Sequence, residues 1–462
     1  MKSSIQHSPF SILHSAFCVQ HSAFCIPLVL LALVACDNHD QPTPPKYDTT
    51  VVTVYDTTYQ QTLRCDTVAI DTLVRDTLVD VQNDRVVVGY VQSWLDGIPD
   101  PFLNTNLCYM GATPDITPDS VYTGFTVMNP NVFKRVVALK EKNPNLKISL
   151  SFANSDVAGG FSHMLKNPDY RHKFAEDCLE FCQSNGIDGI DLDWEFPGKG
   201  SDALTDVVHD VDNYTAVFKE LREVMGPNYL LTVAGYITDK ETVKDSYGNK
   251  LGYRGIDLKK IEPYLDWINL MCYDYDQGET RHCPHNAFMG GQSDNGSSVY
   301  WSIIASYRAY LAAKYPMNKL VLGIAFYGRH SFVNSKEYQY KEIEDVLLKN
   351  FPHMYTKKYN NTWQVPCLYK NGEFFCSYDD PQSIAYKGGW AVRQGLKGLM
   401  YWSSAGDNNK KDLQHACWDA MKKELITDTT FTYQVDSLLV TDTIITERRD
   451  TTITKQPLAS KR

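Results

Sequence analysis

Eight apolar segments recur along the chain, and they constrain its fold more than any other feature. Each has the Val, Ile, Leu and Tyr content of a buried strand, and most are separated by enough residues for a helix and two loops. The intervening stretches carry apolar residues at helical spacing, as between Phe174 and Cys182. Such alternation is typical of a closed parallel sheet, so the sequence predicts an α/β fold, a (β/α)8 TIM barrel over residues 85–425. The segments begin near Val86, Asn106, Lys147, Ile187, Leu230, Leu265, Leu320 and Leu396.

Two intervals between these segments have unusual lengths. The first is short, so we expect the first barrel helix to be degenerate. The seventh is about twice the usual length, and its residues 333–382 include a helix-like stretch and the hairpin sequence CLYKNGEFFC. It predicts a small α+β insertion between strands seven and eight. Cys367 and Cys376 flank the hairpin turn, where either a disulfide or a pair of buried, reduced thiols fits.

The barrel region lies between two segments rich in Asp, Thr and Val. The first, 37–84, contains DTVAIDTLVRDTLVD, and the second, 426–462, contains VDSLLVTDTIITERRDTTIT. Frequent Asp and few aromatic residues favour a solvated linker and a solvated tail. Because alternating Val and Thr also suit strands, we predict that the two segments pair as a β-ribbon outside the barrel domain.

Residues 1–36 have the features of an export signal. The apolar run 26–35 is too short to span a bilayer as a helix, and it ends in the sequence LVAC at Cys36. This ending resembles a bacterial lipobox, which implies cleavage before Cys36 and lipidation of its thiol. The alternative is an ordinary secretory signal with a chance cysteine. We expect an exported protein, lipid-anchored to a bacterial membrane in the periplasm or at the cell surface. Because residues 5–25 repeat themselves and Lys2 is the only positive charge before the apolar run, we expect the true start codon further downstream.

Net charge and cysteine usage exclude several classes of protein. A formal charge of −10 argues against nucleic-acid binding, which needs a basic face. Without Cys18, Cys25 and Cys36, nine of the twelve cysteines remain, an odd set with no CxxC pair and no metal-ligand spacing. Cys178 and Cys182 lie one helical turn apart, where core packing is expected. We predict no metal, no cofactor, no nucleic-acid partner and a monomeric protein.

The segment Asp188–Glu195, DGIDLDWE, carries carboxylates at alternate positions. Because strand side chains alternate between faces, Asp191, Asp193 and Glu195 share one face at intervals of roughly 7 Å. In a barrel this face points into the lumen, where like charges in a partly dry interior raise at least one pKa. Glu195 lies at the C-terminal end, where barrel active sites form, so we predict that it is a protonated general acid. The alternatives are a metal site or a solvated strand end. Asp188 lies off the acidic face and is interpreted as structural.

This octet resembles the DxxDxDxE signature of family 18 glycoside hydrolases, the chitinases and their relatives. The resemblance implies a TIM barrel with a chitinase insertion subdomain, and it extends over most of residues 85–408. One motif departs: the SxGG of strand three is Ser151-Phe152-Ala153-Asn154 here, which restricts the turn and narrows the space beside the sugar. The similar motifs are Met271-Cys272-Tyr273-Asp274, LGIAFYGR from Leu322 to Arg329, SYDDPQSI from Ser377 to Ile384, and Gly398-Leu399-Met400-Tyr401-Trp402.

The resemblance implies hydrolysis of β-1,4-linked N-acetylglucosamine polymers, chitin or chito-oligosaccharides, by a retaining, substrate-assisted mechanism. By family position, Glu195 protonates the glycosidic oxygen, and the 2-acetamido oxygen of the substrate attacks the anomeric carbon. Asp193 orients the acetamido group and stabilises positive charge, Asp191 shares a proton with Asp193, and Tyr273 donates its hydroxyl hydrogen to the acetamido oxygen. The candidate substrate contacts are Tyr90, Trp94, Met271, Asp274, Tyr327, Arg329 and Trp402.

Two other functions fit the same residues. One is an endo-β-N-acetylglucosaminidase that acts on N-glycan cores. The predicted insertion favours a chitinase, because it would wall one side of a groove for a linear chain, while the altered strand-three turn leaves the choice open. The other is a non-catalytic, carbohydrate-binding lipoprotein, which we would expect to lack the acid Glu195.

Overall fold

The computed structural model describes residues 67–154, 160–195, 197, 208–236, 243–244, 250–251, 256–275, 284–289, 302–330, 336–436 and 444–447. The chain divides into two compact units, a larger one over Asp80–Glu424 and a smaller one that contains Met1–Val79 and Leu425–Arg462. The predicted lipidation site, Cys36, lies outside the described residues. Within them, no helix has the length and apolar character that a membrane span needs.

Eight parallel strands of the larger unit close into a barrel. Each pairs with the next, and the last pairs with the first, so the ring is complete. The predicted TIM-barrel fold is confirmed. In chain order the strands are β1 (Val86–Gln92), β2 (Asn106–Ile116), β3 (Lys147–Asn154), β4 (Gly189–Trp194), β5 (Leu230–Gly235), β6 (Trp267–Leu270), β7 (Leu320–Ala325) and β8 (Gly398–Trp402).

Helices follow the barrel strands in every interval except the first. Residues 93–105, between β1 and β2, form no helix, as the short interval predicts. This loop packs tightly on the barrel, because a Cβ on Gly97 would lie only 2.3 Å from the Cα of Ala405. The end of β2 pairs with an antiparallel strand, Tyr122–Val127. The helices are Pro130–Val137, Leu139–Lys142, Gly160–Leu165, Pro168–Asn185, Asp210–Met225, Leu258–Ile261, Ile303–Ala312, Pro381–Arg393 and Asp412–Lys422, with short 3-10 helices at Glu262–Tyr264, Met317–Lys319 and Ser404–Gly406.

The helix before β4 shows how local sequence sets the element boundaries. Pro168 occupies the first turn, where its missing N–H leaves no bond unmade, and the side chain of Asn167 accepts a hydrogen bond from a backbone N–H of that turn. At the other end, Gly186 adopts a left-handed conformation with φ 63° and stops the helix. Cys178 and Cys182 are buried free thiols, so the predicted core packing is confirmed.

The strands of the barrel separate two packed regions. Ile190, Leu192 and Trp194 of β4 point outward into the main core between sheet and helices, where the Trp194 ring meets Tyr214 edge-on at 5.3 Å. A second, smaller cluster fills the lumen. The side chains of DGIDLDWE therefore alternate between the outer core and the lumen, as predicted. The lumen cluster includes Val88, Tyr90, Cys108, Trp267, Met271, Tyr273, Tyr327 and Met400.

The chain between β7 and β8 forms the small α+β insertion that the sequence predicts. Its helix, Tyr340–Glu342, continues as a π-helix over Ile343–Leu348. An antiparallel sheet of three strands follows. Its strands are Tyr355–Asn360, Val365–Lys370 and Glu373–Ser377. Short strand pairs also form at Tyr327–Gly328 with Tyr338–Gln339 and at Val243–Lys244 with Lys250–Leu251.

Cys367 and Cys376 lie on adjacent strands of the insertion but do not face each other. Cys367 is opposite Ser377 and Cys376 is opposite Leu368, so the two side chains point to different faces of the sheet. Both are buried free thiols. The disulfide alternative is therefore wrong. Burial raises the pKa of Cys367 to about 12, which keeps this group a neutral thiol.

The smaller unit contains strands from both sides of the barrel region. Thr67–Asp80 pairs with Lys423–Asp436, which in turn pairs antiparallel with Ile444–Glu447. The strand that precedes the barrel domain thus lies beside the strand that follows it. Within the described residues, the predicted pairing of the two Asp/Thr-rich segments is confirmed.

Candidate active site

Asp191 lies at the centre of a hydrogen-bond network in the barrel lumen and is fully buried. Four side chains donate to its carboxylate, each from a different strand. On one oxygen these are the Tyr90 hydroxyl at 3.0 Å and the Ser151 hydroxyl at 2.7 Å. On the other they are the Thr232 hydroxyl at 2.5 Å and the Asn269 amide at 3.3 Å. Burial raises the pKa of Asp191, and the four hydrogen bonds act in the opposite direction.

Asp193 lies two residues further along the same face, in different surroundings. It is 5% exposed, and no donor among the described residues lies within hydrogen-bond distance of its Oδ1. Burial, together with the charges of Glu195 and Asp191, raises the pKa of Asp193 well above its ordinary value. Asp193 therefore binds its proton more tightly than an ordinary aspartic acid does. The sequence argument placed a raised pKa at Glu195, which stays a prediction; the structure shows a raised pKa at the more deeply buried Asp193.

Glu195 and Tyr273 complete the upper lumen. Glu195 is half-buried and directly follows β4, at the C-terminal end where barrel active sites form. Tyr273, just after β6, is 6% exposed, and its hydroxyl lies 3.9 Å from the Met400 sulfur. Burial, with the charges of Asp193, Asp274 and Glu195, raises the pKa of Tyr273 well above 10. Its hydroxyl thus stays protonated and can donate a hydrogen bond. Met271, on the same side of this strand, is buried in the lumen cluster.

Aromatic rings line one side of the mouth. The Trp402 ring, at the end of β8, lies 5.8 Å from Tyr90 and 6.2 Å from Trp94. Trp94 is 55% exposed, whereas Tyr90 is buried and its hydroxyl is bonded to Asp191. Trp402 and Trp94 therefore offer accessible ring surface, while Tyr90 supports both Trp402 and the carboxylate network from below.

Three further candidate residues form a cluster beside Tyr273. A guanidinium nitrogen of Arg329 lies 3.1 Å from the Asp274 carboxylate, and the guanidinium group also lies 5.6 Å from the centre of the Tyr327 ring. Arg329 makes a second ion pair with Glu337 in the insertion. Asp274 has a left-handed backbone with φ 55°, which is uncommon for a residue other than glycine. The structure thus brings Asp274, Tyr327 and Arg329 together at the ends of β6 and β7.

Asp188 lies at the opposite end of β4 from the site. Its carboxylate accepts hydrogen bonds from Lys140 at 2.5 Å, Lys147 at 3.0 Å and the backbone N–H of Ile148 at 2.9 Å. These contacts tie the start of β4 to neighbouring elements. The structural interpretation of Asp188 is therefore confirmed.

The strand-three motif SFAN contributes to the network through its serine. Ser151 donates to Asp191, and Ala153 is aligned with Asp193 on the neighbouring strand. The side chain of Asn154 and residues 155–159 lie outside the described part of the chain. The expected narrowing beside the sugar therefore stays a prediction.

Comparison with known proteins places the chain in a family. Residues 86–407 match the model of the glycosyl hydrolases family 18. The chain belongs to this family. The prediction drawn from DGIDLDWE is confirmed, and with it the prediction that the chain is a glycosidase by class.

Individual family 18 relatives are moderately similar in sequence. The chain is 29% identical over 372 residues to Chitinase A1 of Niallia circulans, across 72% of this chain and 48% of that relative. It is 28% identical over 376 residues to Probable chitinase 2 of Drosophila melanogaster, across 71% and 73% of the two chains. The chain spans about half the length of several curated relatives that it matches, at 48%, 52% and 54% for three bacterial chitinases.

Solved family 18 structures share the architecture. The Ostrinia furnacalis Group IV chitinase in complex with allosamidin is 25% identical with a TM-score of 0.61, over 72% of this chain and 97% of that chain. A family 18 N-acetylglucosaminidase from Paenibacillus barengoltzii is 25% identical with a TM-score of 0.59, over 73% of this chain and 100% of that chain.

Sequence reasoning missed several residues that support this family 18 site. Thr232 and Asn269 hold Asp191, and Trp267 donates to the Asn269 side-chain oxygen at 3.0 Å. A signal was present, because polar residues interrupt two apolar strands at lumen-facing positions. The sequence did not show that Thr232 and Asn269 bind Asp191. Strand alternation predicts which face a side chain is on, but not how far along the barrel axis it lies.

Proposed function

We propose that the chain hydrolyses β-1,4-linked N-acetylglucosamine polymers with retention, using the substrate's own acetamido group as the nucleophile. One observation carries this proposal: Asp193, which is buried and has a raised pKa, lies between a firmly held Asp191 and the half-buried Glu195. A carboxyl group that favours its protonated form is poorly suited to attack an anomeric carbon. It is well suited to orient a polar group of the substrate.

Glu195 begins the reaction by protonating the glycosidic oxygen as the bond to the anomeric carbon breaks. The acetamido carbonyl oxygen closes on that carbon and forms an oxazolinium ion. The Asp193 Oδ1 accepts the acetamido N–H, and Asp193 and Asp191 share the proton that the free enzyme holds on Asp193. Tyr273 donates its hydroxyl hydrogen to the acetamido oxygen. Glu195, now ionised, takes a proton from the incoming water and so becomes the acid again. The water oxygen bonds to the anomeric carbon, and the oxazolinium ring opens to regenerate the acetamido group.

Several features support a linear chain of N-acetylglucosamine as the substrate. The relatives named above include chitinases from a bacterium and an insect. Trp402 and Trp94 present ring surface at the mouth, which suits stacking against pyranose rings. The insertion between β7 and β8 contributes Glu337, the second partner of Arg329, so it lies close to this mouth. No described contact favours an N-glycan core over a linear chain.

A side-by-side incubation tests the proposal. Chito-oligosaccharides, a high-mannose glycoprotein and cello-oligosaccharides are offered to the same enzyme, and products are identified by mass spectrometry. We expect cleavage of the chito-oligosaccharides, with the β-anomer formed first as read by NMR, and no cleavage of cello-oligosaccharides, which lack the acetamido group. Cleavage of the glycoprotein but not of the chito-oligosaccharides would contradict this proposal and indicate an endo-β-N-acetylglucosaminidase that acts on N-glycan cores. Binding without cleavage would indicate a carbohydrate-binding protein.

We also propose that Cys36 carries lipid and anchors the enzyme to a bacterial membrane. The sequence LVAC after a short apolar run supports this. Metabolic labelling with a palmitate analogue should label the wild-type chain and not Cys36→Ser. Equal labelling of both would rule the anchor out, and export without labelling would indicate an ordinary secretory signal.

A further inference from the structure

Residues 284–289, here called the clasp segment, follow β6 in the chain and contact both the end of β6 and the insertion. The backbone N–H of His285 donates to the Ser377 hydroxyl at 3.1 Å, at the end of the insertion's last strand. The ammonium group of Lys387 donates to the Asn286 carbonyl at 2.8 Å. Lys387 is fully buried and is also paired with Asp379 at 2.6 Å. The clasp segment is thus held from the side of the insertion by buried polar contacts.

The other side of the clasp segment touches the chain immediately after β6. The backbone N–H of Asp274 donates to Nδ1 of His285 at 3.3 Å, and the backbone N–H of Tyr275 donates to the His285 carbonyl at 2.9 Å. Asp274 is the residue with the left-handed backbone, a conformation that persists only when its surroundings enforce it. His285 therefore supplies two of the acceptors that enforce it.

Ring packing links the same histidine to the catalytic tyrosine. The His285 imidazole is fully buried and lies 5.1 Å from the Tyr327 ring at an angle of 31°. Tyr327 in turn meets Tyr273 edge-on at 6.0 Å. His285 thus contacts both the backbone that follows Tyr273 and the ring that packs against it.

We propose that His285 is a positioning residue for turnover. It fixes the Asp274 backbone and the Tyr327 ring, and through them the hydroxyl of Tyr273, and the clasp segment makes this arrangement depend on the insertion. The inference rests on the proposed function, because Tyr273 is assigned there to the acetamido oxygen. It assigns the insertion a part in the chemical step in addition to walling the groove.

A matched pair of substitutions tests the acceptor. Asn and Leu have similar shapes, but His285→Asn keeps an oxygen that can accept the Asp274 N–H and His285→Leu does not. Both lose the packing of the ring on Tyr327, so we expect both to lower kcat on chitotetraose. Because a buried donor without a partner is costly, we expect kcat to be about tenfold lower in His285→Leu than in His285→Asn. KM should change by less than about threefold, since a shift at Tyr273 acts on the transition state.

Equal kcat values for the two variants, or a raised KM with an unchanged kcat, would overturn the proposal. Thermal unfolding of each variant distinguishes a loss of folding from a displacement of the Tyr273 hydroxyl. If His285→Leu does not fold, Ser377→Ala carries the test, because it removes only the side-chain acceptor of the clasp segment. We expect it to lower kcat by about threefold, as for the loss of one hydrogen bond, and an unchanged kcat would contradict the proposal.

A readout without turnover separates this inference from the proposed function. Hydrogen exchange at the Asp274 and Tyr275 amides should speed up in His285→Leu and stay closer to wild type in His285→Asn. If the wild-type chain cleaves no N-acetylglucosamine oligomer but exchange changes as expected, the proposed function fails, and what stands is that His285 holds the Asp274 backbone. If the wild-type chain is active and neither exchange nor kcat responds, the positioning role fails.

Discussion

The lower and upper parts of the barrel lumen differ in what they offer a buried carboxyl group. Asp191, in the lower part, receives hydrogen bonds from four strands. Asp193, one step higher on the same face, has an oxygen that no described donor reaches, and it faces the charge of Glu195. Burial acts on both, so the hydrogen-bond donors at Asp191 and the charge of Glu195 near Asp193 make the difference. The lower part holds its carboxyl group in place, and the upper part favours the protonated form of its carboxyl group and leaves one oxygen available to a substrate.

The largest expected effect lies just above this pair, at Glu195. The change Glu195→Gln keeps the shape of the side chain but removes the transferable proton, so kcat should fall by about 10³-fold. Initial rates on chitotetraose measure this, with the thermal midpoint as a control for folding. A fall of less than tenfold would exclude Glu195 as the acid.

The next effect separates the role of Asp193 in turnover from its role in folding. Asp193→Asn should lower kcat on the order of 100-fold, because an amide cannot share the proton with Asp191 or stabilise the oxazolinium charge. The variant should still bind chito-oligosaccharide, which calorimetry can measure. Wild-type turnover in this variant would show that the upper lumen does not need an acid at this position.

For stability, we expect Asp191 to matter more than Asp193. In Asp191→Asn, an NH2 group would face donors such as Thr232 and Asn269, so the free energy of unfolding should fall by about 1 to 3 kcal/mol. In Asp193→Asn, the new NH2 group can take the place of Oδ1, which no described donor reaches, so the change should be smaller. Urea denaturation of both variants measures the difference. Equal losses would contradict the contrast between the two parts of the lumen.

The smallest expected effect is on the pH dependence of stability. The folded pKa of Asp193 lies well above its value of 3.8 in an unfolded chain, so between these two pH values the folded state holds a proton that the unfolded state has lost. Stability therefore falls as pH rises through this window. The thermal midpoint of Asp193→Asn, relative to wild type, should rise as the pH is raised above about 4.

Some of the site could be read from DGIDLDWE because the relevant rule is local. Alternation along one strand assigned Asp191, Asp193 and Glu195 to the lumen and Trp194 to the outer core, and the fold agrees. The octet did not predict the raised pKa at Asp193, since nothing in it tells how deeply each carboxyl group lies. Cys367 and Cys376 present the same problem, because a register shift of one residue moves a side chain to the other face.

By itself, the sequence determined the barrel, its missing first helix, the insertion and the face that carries the acids. These follow from periodicity, spacing and composition, which act between residues close together in the chain. The tertiary structure alone decided how deeply Asp193 is buried, which donors hold Asp191, and that His285 lies against Asp274 and Tyr327. Hydrogen bonding and desolvation depend on neighbours in space, and here those neighbours come from different strands and from the insertion.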